Sequence, residues 1–141
     1  MHSDGAAEPG ILVVDDDQLM LTIITALIRT EGYLNVEQAR DGSEALKKVL
    51  LHNPTIVFLG IEMPRFDGIE TLRAIRDYGT NIQVVMVSAL PTANRVSAAK
   101  QGGAAGFLVK PISQKQIGDA IRSCLTRASR VAGDIELFIL A

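Results

Sequence analysis

Three consecutive aspartates close the first apolar run of the chain: ILVVD at 11–15 continues into Asp16 and Asp17. Adjacent carboxylates repel one another unless a helix terminus, a cation or solvent intervenes. One of them suffices to cap a following helix, and Asp17 is placed to do so. Asp15 and Asp16 remain as oxygen donors for a hard cation such as Mg²⁺. Two later runs also end on polar side chains: QVVMVS on Ser88, and GFLV on Lys110 beside Pro111. A serine at a strand end ordinarily bonds a loop, and a lysine there is ordinarily solvated. Opposite an acidic cluster, however, a lysine is a point charge for an anionic oxygen. The remaining piece is TIVFLGIEMPRFDG at 55–68. Its apolar run stops at Gly60, so no side chain stands where the other runs place a reactive one. Glu62 follows two residues later, and Asp67-Gly68 reads as the turn that starts a helix.

The elements that must position these residues follow from periodicity. Apolar, β-branched runs occur at 11–15, 35–39, 55–59, 83–88 and 106–109. Helical spacing fills the intervals. Met20, Ile23, Ile24, Leu27 and Ile28 form a face within 18–30, which Gly32 is placed to end. Ala45, Leu46, Val49 and Leu50 mark a second helix before Pro54, and Ile69, Leu72 and Ile75 a third. The fourth, about 93–101, has only Val96 and Ala99 to bury. Ser113 and Gln116 form a capping box opening a fifth, with Ile117, Ile121 and Leu125 inward. Strict alternation of strand and helix predicts parallel strands joined by right-handed crossovers. Glu37 and Gln38 make the second strand the most polar, hence an edge. The prediction is a three-layer α/β/α, flavodoxin-like, doubly wound sheet of five strands in the order 2-1-3-4-5, with five helices.

With 141 residues the chain has room for one domain, and its 48% hydrophobic content can fill a core. We divide it into a leader at 1–9, a domain at 10–127 and a tail at 128–141. The tail ends in the apolar IELFILA, and two readings stand: it packs on the face of the fourth helix, fifth strand and fifth helix, extends the last helix or meets another chain, or else it is a disordered tail or the stub of a missing domain. A net charge of −2 and a pI near 5.6 give no basic field for nucleic acid or anionic lipid. No apolar run spans a bilayer and the N-terminus lacks the features of a signal peptide, so the expected compartment is the cytoplasm. Cys124 excludes an intramolecular disulfide and reads as a small hydrophobe. His2 and His52 share no ligand spacing, and Met63 and Met86 are packing residues.

From about Ile11 to Arg127 the sequence resembles the CheY-like receiver domain of two-component response regulators. The resemblance is carried by VVDDD, MPRFDG, the SA at 88–89, the KP at 110–111, and Phe107 in GFLVK. It implies an Mg²⁺ site using Asp15 and Asp16, with Glu62 as the further candidate ligand. It implies that Ser88 and Lys110 bind the oxygens of a phosphoryl group, and that Phe107 reorients with Ser88 as a switch. It also implies a phosphorelay role: a histidine kinase or phosphotransfer protein upstream, and an effector or a second receiver meeting helix 4, strand 5 and helix 5. The residue matching the phosphoacceptor is Gly60, which has no carboxylate to phosphorylate.

Three readings of Gly60 stand: a deliberate substitution, a natural degenerate receiver that signals by binding, or partial takeover by Glu62. Glu62 lies roughly 6–7 Å further along an extended chain, so it does not occupy the same point. Without the phosphoryl group, Mg²⁺ is expected to bind weakly, Lys110 to lean on an acidic neighbour, and Phe107 to sample an outward position. The chain is expected to be a signalling module, not a turnover enzyme. The enzymatic alternative is a haloacid-dehalogenase-like phosphatase with Asp15 as nucleophile and Asp17 as general acid. That alternative leaves MPRFDG without a role.

Overall fold

The computed structural model describes residues 8–79, 81–128 and 139–140. The strands are β1 (Ile11–Val14), β2 (Val36–Ala39), β3 (Ile56–Gly60), β4 (Gln83–Ser88) and β5 (Gly106–Val109). Between and after them come α1 (Gln18–Thr30), α2 (Gly42–His52), α3 (Gly68–Tyr78), α4 (Ala93–Gln101) and α5 (Gln114–Ala128). All strand pairs are parallel, and the five strands take the predicted order β2-β1-β3-β4-β5. A short sixth strand, β6 (Ile139–Leu140), adds in parallel to β5, with Phe107 opposite Ile139. Of the tail, 129–138 and 141 lie outside the described residues. The two that are described cover the sheet edge at β5 rather than prolong α5.

The two sheet faces have separate cores. Alternate strand residues Leu12, Val14, Val57, Leu59, Met86 and Phe107 pack under α2, α3 and α4. The intervening Ile11, Val13, Ile56, Phe58, Val85 and Leu108 pack under α1 and α5. A period of two with both faces covered is what a central parallel sheet requires, and β1, β3 and β4 are apolar on both sides. β2, with Glu37 and Gln38 half-buried, is the edge that its composition predicts.

Each helix starts on the capping residue its sequence offers. The Asp17 carboxylate accepts the Leu19 N–H at 2.9 Å, and Asp41 accepts that of Glu44 at 2.8 Å. Asp67 and Glu70 form a reciprocal capping box on α3, and Ser113 and Gln116 do the same on α5. The inward face of α1 differs from expectation. Leu21, Ile24, Thr25 and Ile28 are buried, a clean i, i+3, i+4, i+7 stripe, while Ile23 is exposed. Packing against α5 as well as the sheet rotates the helix towards Leu21, which the apolar count alone did not single out.

Candidate functional site

Strand register gathers the polar residues at the carboxyl edge of the sheet. Val14 pairs with Leu59, which puts Asp15 beside Gly60. Gly60 pairs with Val87, and Ser88 pairs with Val109, which puts Ser88 one residue past the partner of Gly60 and Lys110 one residue further out on β5. The loop leaving β3 is pinned at residue 61, whose N–H bonds the Val87 carbonyl at 3.0 Å and whose carbonyl accepts the Gly68 N–H at 3.0 Å. Gly68 is required there. A Cβ on it would overlap the Gly60 carbonyl oxygen, so α3 starts in direct backbone contact with the end of β3.

On the β1 side, Asp15 is almost fully buried. One carboxylate oxygen accepts the Asp17 N–H at 2.9 Å, and the other lies 3.4 Å from Lys110 Nζ. Burial pushes the Asp15 carboxyl above the usual carboxylate range, and the bond from Asp17 and the Lys110 charge only partly offset it. Asp16 is exposed and adds to the repulsion. The Asp15 carboxylate leans over position 60, where a Cβ would meet its Oδ2 at 3.2 Å and the Val14 carbonyl at 3.3 Å.

On the β4 side, the Glu62 carboxylate takes two hydrogen bonds from consecutive residues. Ser88 Oγ donates to Oε2 at 2.6 Å and the Ala89 N–H donates to Oε1 at 3.0 Å. Ser88 Oγ in turn accepts the Leu90 N–H at 3.0 Å. Arg95 Nη1 sits 3.7 Å from Glu62 Oε2 and donates to the Leu90 carbonyl at 3.0 Å. Glu62 thus faces Ser88, away from Asp15 and Asp16. Among the described residues no three acidic, histidine or cysteine side chains gather into a metal-holding group. Arg95 and the Ala89 amide are members of the site that the sequence reading missed. Arg95 lies in the first turn of the helix with the fewest apolar residues, where an arginine looks like any solvated one.

The Phe107 expectation is corrected. The ring is completely buried, in the core beneath α4 with Met86 and Ala99. The remaining candidates have plain roles. Asp17 is spent on capping α1. His52 lies near Glu37 on the β2 side of the molecule. Cys124 is buried, with its thiol pushed up to about 12 by burial, so it is no nucleophile.

The family model for the response regulator receiver domain matches residues 11–122. The chain belongs to the response regulator receiver family. The receiver is 34% identical to the chemotaxis protein CheY of Bacillus subtilis over 115 residues, 82% of this chain and 96% of that protein. It is 32% identical to the transcriptional regulatory protein PdtaR of Mycobacterium tuberculosis over 125 residues, 89% of this chain but only 60% of that one. Among solved structures, a CheX–CheY–BeF₃–Mg²⁺ complex from Borrelia burgdorferi aligns with a TM-score of 0.78 at 34% identity, covering 82% and 88% of the two chains. A receiver domain from Methanospirillum hungatei aligns with a TM-score of 0.82 at 24% identity, covering 86% and 97%, which supports the fold.

Proposed function

We propose that this receiver, comprising residues 10–127, signals without a phosphoryl group on residue 60, through its conformation and the partners it binds. The observation that carries this reading is Gly60. It ends β3 beside Asp15 and Ser88, and it offers neither a nucleophile nor a metal-binding oxygen on a side chain. Substitution and natural degeneracy give the same chemistry. The phosphatase reading loses support, because Asp17, its required general acid, caps α1.

The residues that would hold Mg²⁺ are Asp15 and Asp16. A buried carboxylate whose oxygens have one partner each, the Asp17 N–H and Lys110, and an exposed carboxylate beside it fit a cation that keeps several waters. Bound there, Mg²⁺ would neutralise the repulsion between the two acids. Lys110 already supplies part of that neutralisation, and position 60 adds no ligand, so affinity is weak. The surface formed by α4, β5 and α5 is the proposed meeting place for an effector or a second receiver. A sensor histidine kinase or phosphotransfer protein is the proposed upstream contact. No described helix is long and apolar enough to cross a membrane, and the thiol is a buried, unpaired one. Both support a cytoplasmic role without membrane insertion, and the absence of a basic field supports a protein partner over nucleic acid.

Incubation with Mg²⁺ and acetyl phosphate should leave the intact mass unchanged, whereas Gly60→Asp should gain one phosphoryl group. A labile adduct on the parent chain would overturn the reading.

A further inference from the structure

We infer that Glu62 is a resident anion for the switch: its carboxylate takes the Ser88 hydrogen bond intended for a phosphoryl oxygen and holds the region from β4 to β5 in one state. The inference rests on the reading of residue 60 given above and adds what replaces the missing group.

The hydroxyl of Ser88 has one proton. It is given to Glu62 at 2.6 Å, a short, charge-assisted bond, while the oxygen accepts the Leu90 N–H. Ser88 is wholly buried, so this proton needs an acceptor, and Glu62 is the one it has. The other Glu62 oxygen receives the next backbone N–H, that of Ala89. Two oxygens on one central atom, held by a hydroxyl and an adjacent amide, are what a carboxylate and a phosphoryl group have in common. Neither partner turns towards Gly60 or Asp15.

The same anion reaches α4. Arg95, in the first turn of α4, lies against Glu62 and bonds the Leu90 carbonyl, tying that helix to the end of β4. Met86 pairs with Phe107 and Ser88 with Val109, so side-chain alternation sets Ser88 and Phe107 on one sheet face as diagonal neighbours. The ring is fully inward while the hydroxyl faces Glu62. Glu62 is placed for this by its backbone. The bonds that pin Ile61 to Val87 and Gly68 fix the start of the loop, so the side chain reaches β4 from a rigid base. It is also partly exposed, so its charge is not stranded. A side chain on residue 60 bearing a phosphoryl group would compete for Ser88, whereas glycine leaves Glu62 uncontested. A protein that recognises the surface with Phe107 inward would therefore bind this chain with no phosphodonor present.

The test uses the full chain labelled with fluorophenylalanine, with the Phe107 resonance assigned by Phe107→Leu. The parent is compared with Glu62→Ala, and with Glu62→Gln, which keeps the volume but faces a donor with a donor. Glu62→Ala should speed Ala89 amide exchange by roughly tenfold or more, the loss of one hydrogen bond to a charged group, and Glu62→Gln, whose one oxygen can serve Ala89 or Ser88 but not both, should speed it less. Both should also raise solvent contact of the Phe107 fluorine. Arg95→Ala, which leaves Glu62 in place, should move the same two signals less. Unchanged signals in the variants, with β1 and β3 exchange preserved, would overturn the inference, as would a response at Ala89 without one at Phe107. No phosphodonor is used. A phosphorylated parent would thus refute the reading of residue 60 alone, and a silent Phe107 would refute the resident anion alone.

Discussion

Around position 60 the site has two unlike sides. On the β1 side, Asp15 faces Lys110 across 3.4 Å and an exposed Asp16 adds uncompensated charge. Burial holds the Asp15 carboxyl high, the mark of a carboxylate that its surroundings do not fully satisfy. On the β4 side, both oxygens of Glu62, the Ser88 hydroxyl and the Ala89 amide are paired with one another. The first side keeps two acids against one lysine. The second is complete without a ligand. On that side the anion is Glu62, a residue of the chain itself.

Removing the frame that joins the two sides should have the largest effect. Gly68→Ala drives a Cβ into the Gly60 carbonyl and should cost about 3 kcal/mol, the upper range for overpacking. Chemical denaturation checks this, and a cost below about 1 kcal/mol, the lower end of that range, would mean that the loop relaxes freely.

A smaller effect sharpens the contrast. Gly60→Asp brings a third carboxylate within reach of Asp15 and asks the Asp15 side chain and the Val14 carbonyl to yield by a few tenths of an ångström. In chelator the variant should be less stable than the parent by about 1–2 kcal/mol, within the usual range for a crowded site. Mg²⁺ should restore most of that loss while leaving the parent nearly unchanged. Thermal melts with and without the metal measure the difference. An equal Mg²⁺ response in both chains would show that residue 60 contributes nothing to the cation side.

Asp15→Asn is the mildest case. A carboxyl whose folded pKa lies above its unfolded value stabilises the fold when protonated, below the unfolded pKa, and loses that contribution as pH rises through the folded pKa. Removing the charge should therefore raise stability at neutral pH and flatten its dependence on pH just above the usual carboxylate range. Melting temperatures across that range test the sign. A variant less stable than the parent at neutral pH would mean that the Lys110 pair outweighs burial.

Most of the fold could be read from the residues. The period-two runs and their interruptions marked β1 to β5, and even the weak fourth helix falls at Ala93–Gln101 as expected. Asp17, Asp67 and the Ser113–Gln116 pair announced helix starts because a cap is a local matter of a few residues. The placement of Asp15, Gly60, Ser88 and Lys110 together was legible too, since it follows from parallel register. Three features were not. Glu62 and Ser88 are 26 residues apart, and their bond depends on side-chain torsions that no spacing encodes. Phe107 is wholly buried where the residues around position 60 pointed to an outward ring, because its place is set by packing with Met86 and Ala99 and not by the residue types at the site. Strand β6 is two residues long, too short for any periodicity to announce.

The central claim is that the state of the switch surface does not depend on a phosphodonor. Backbone amide spectra of residues 88–109, recorded before and after adding Mg²⁺ with beryllofluoride, test it most directly. The parent should show no shifts beyond the neighbourhood of Asp15 and Asp16, whereas Gly60→Asp should shift from Ser88 through Phe107. Shifts of the parent's Ser88, Ala89 and Phe107 amides on adding the reagent would contradict the account.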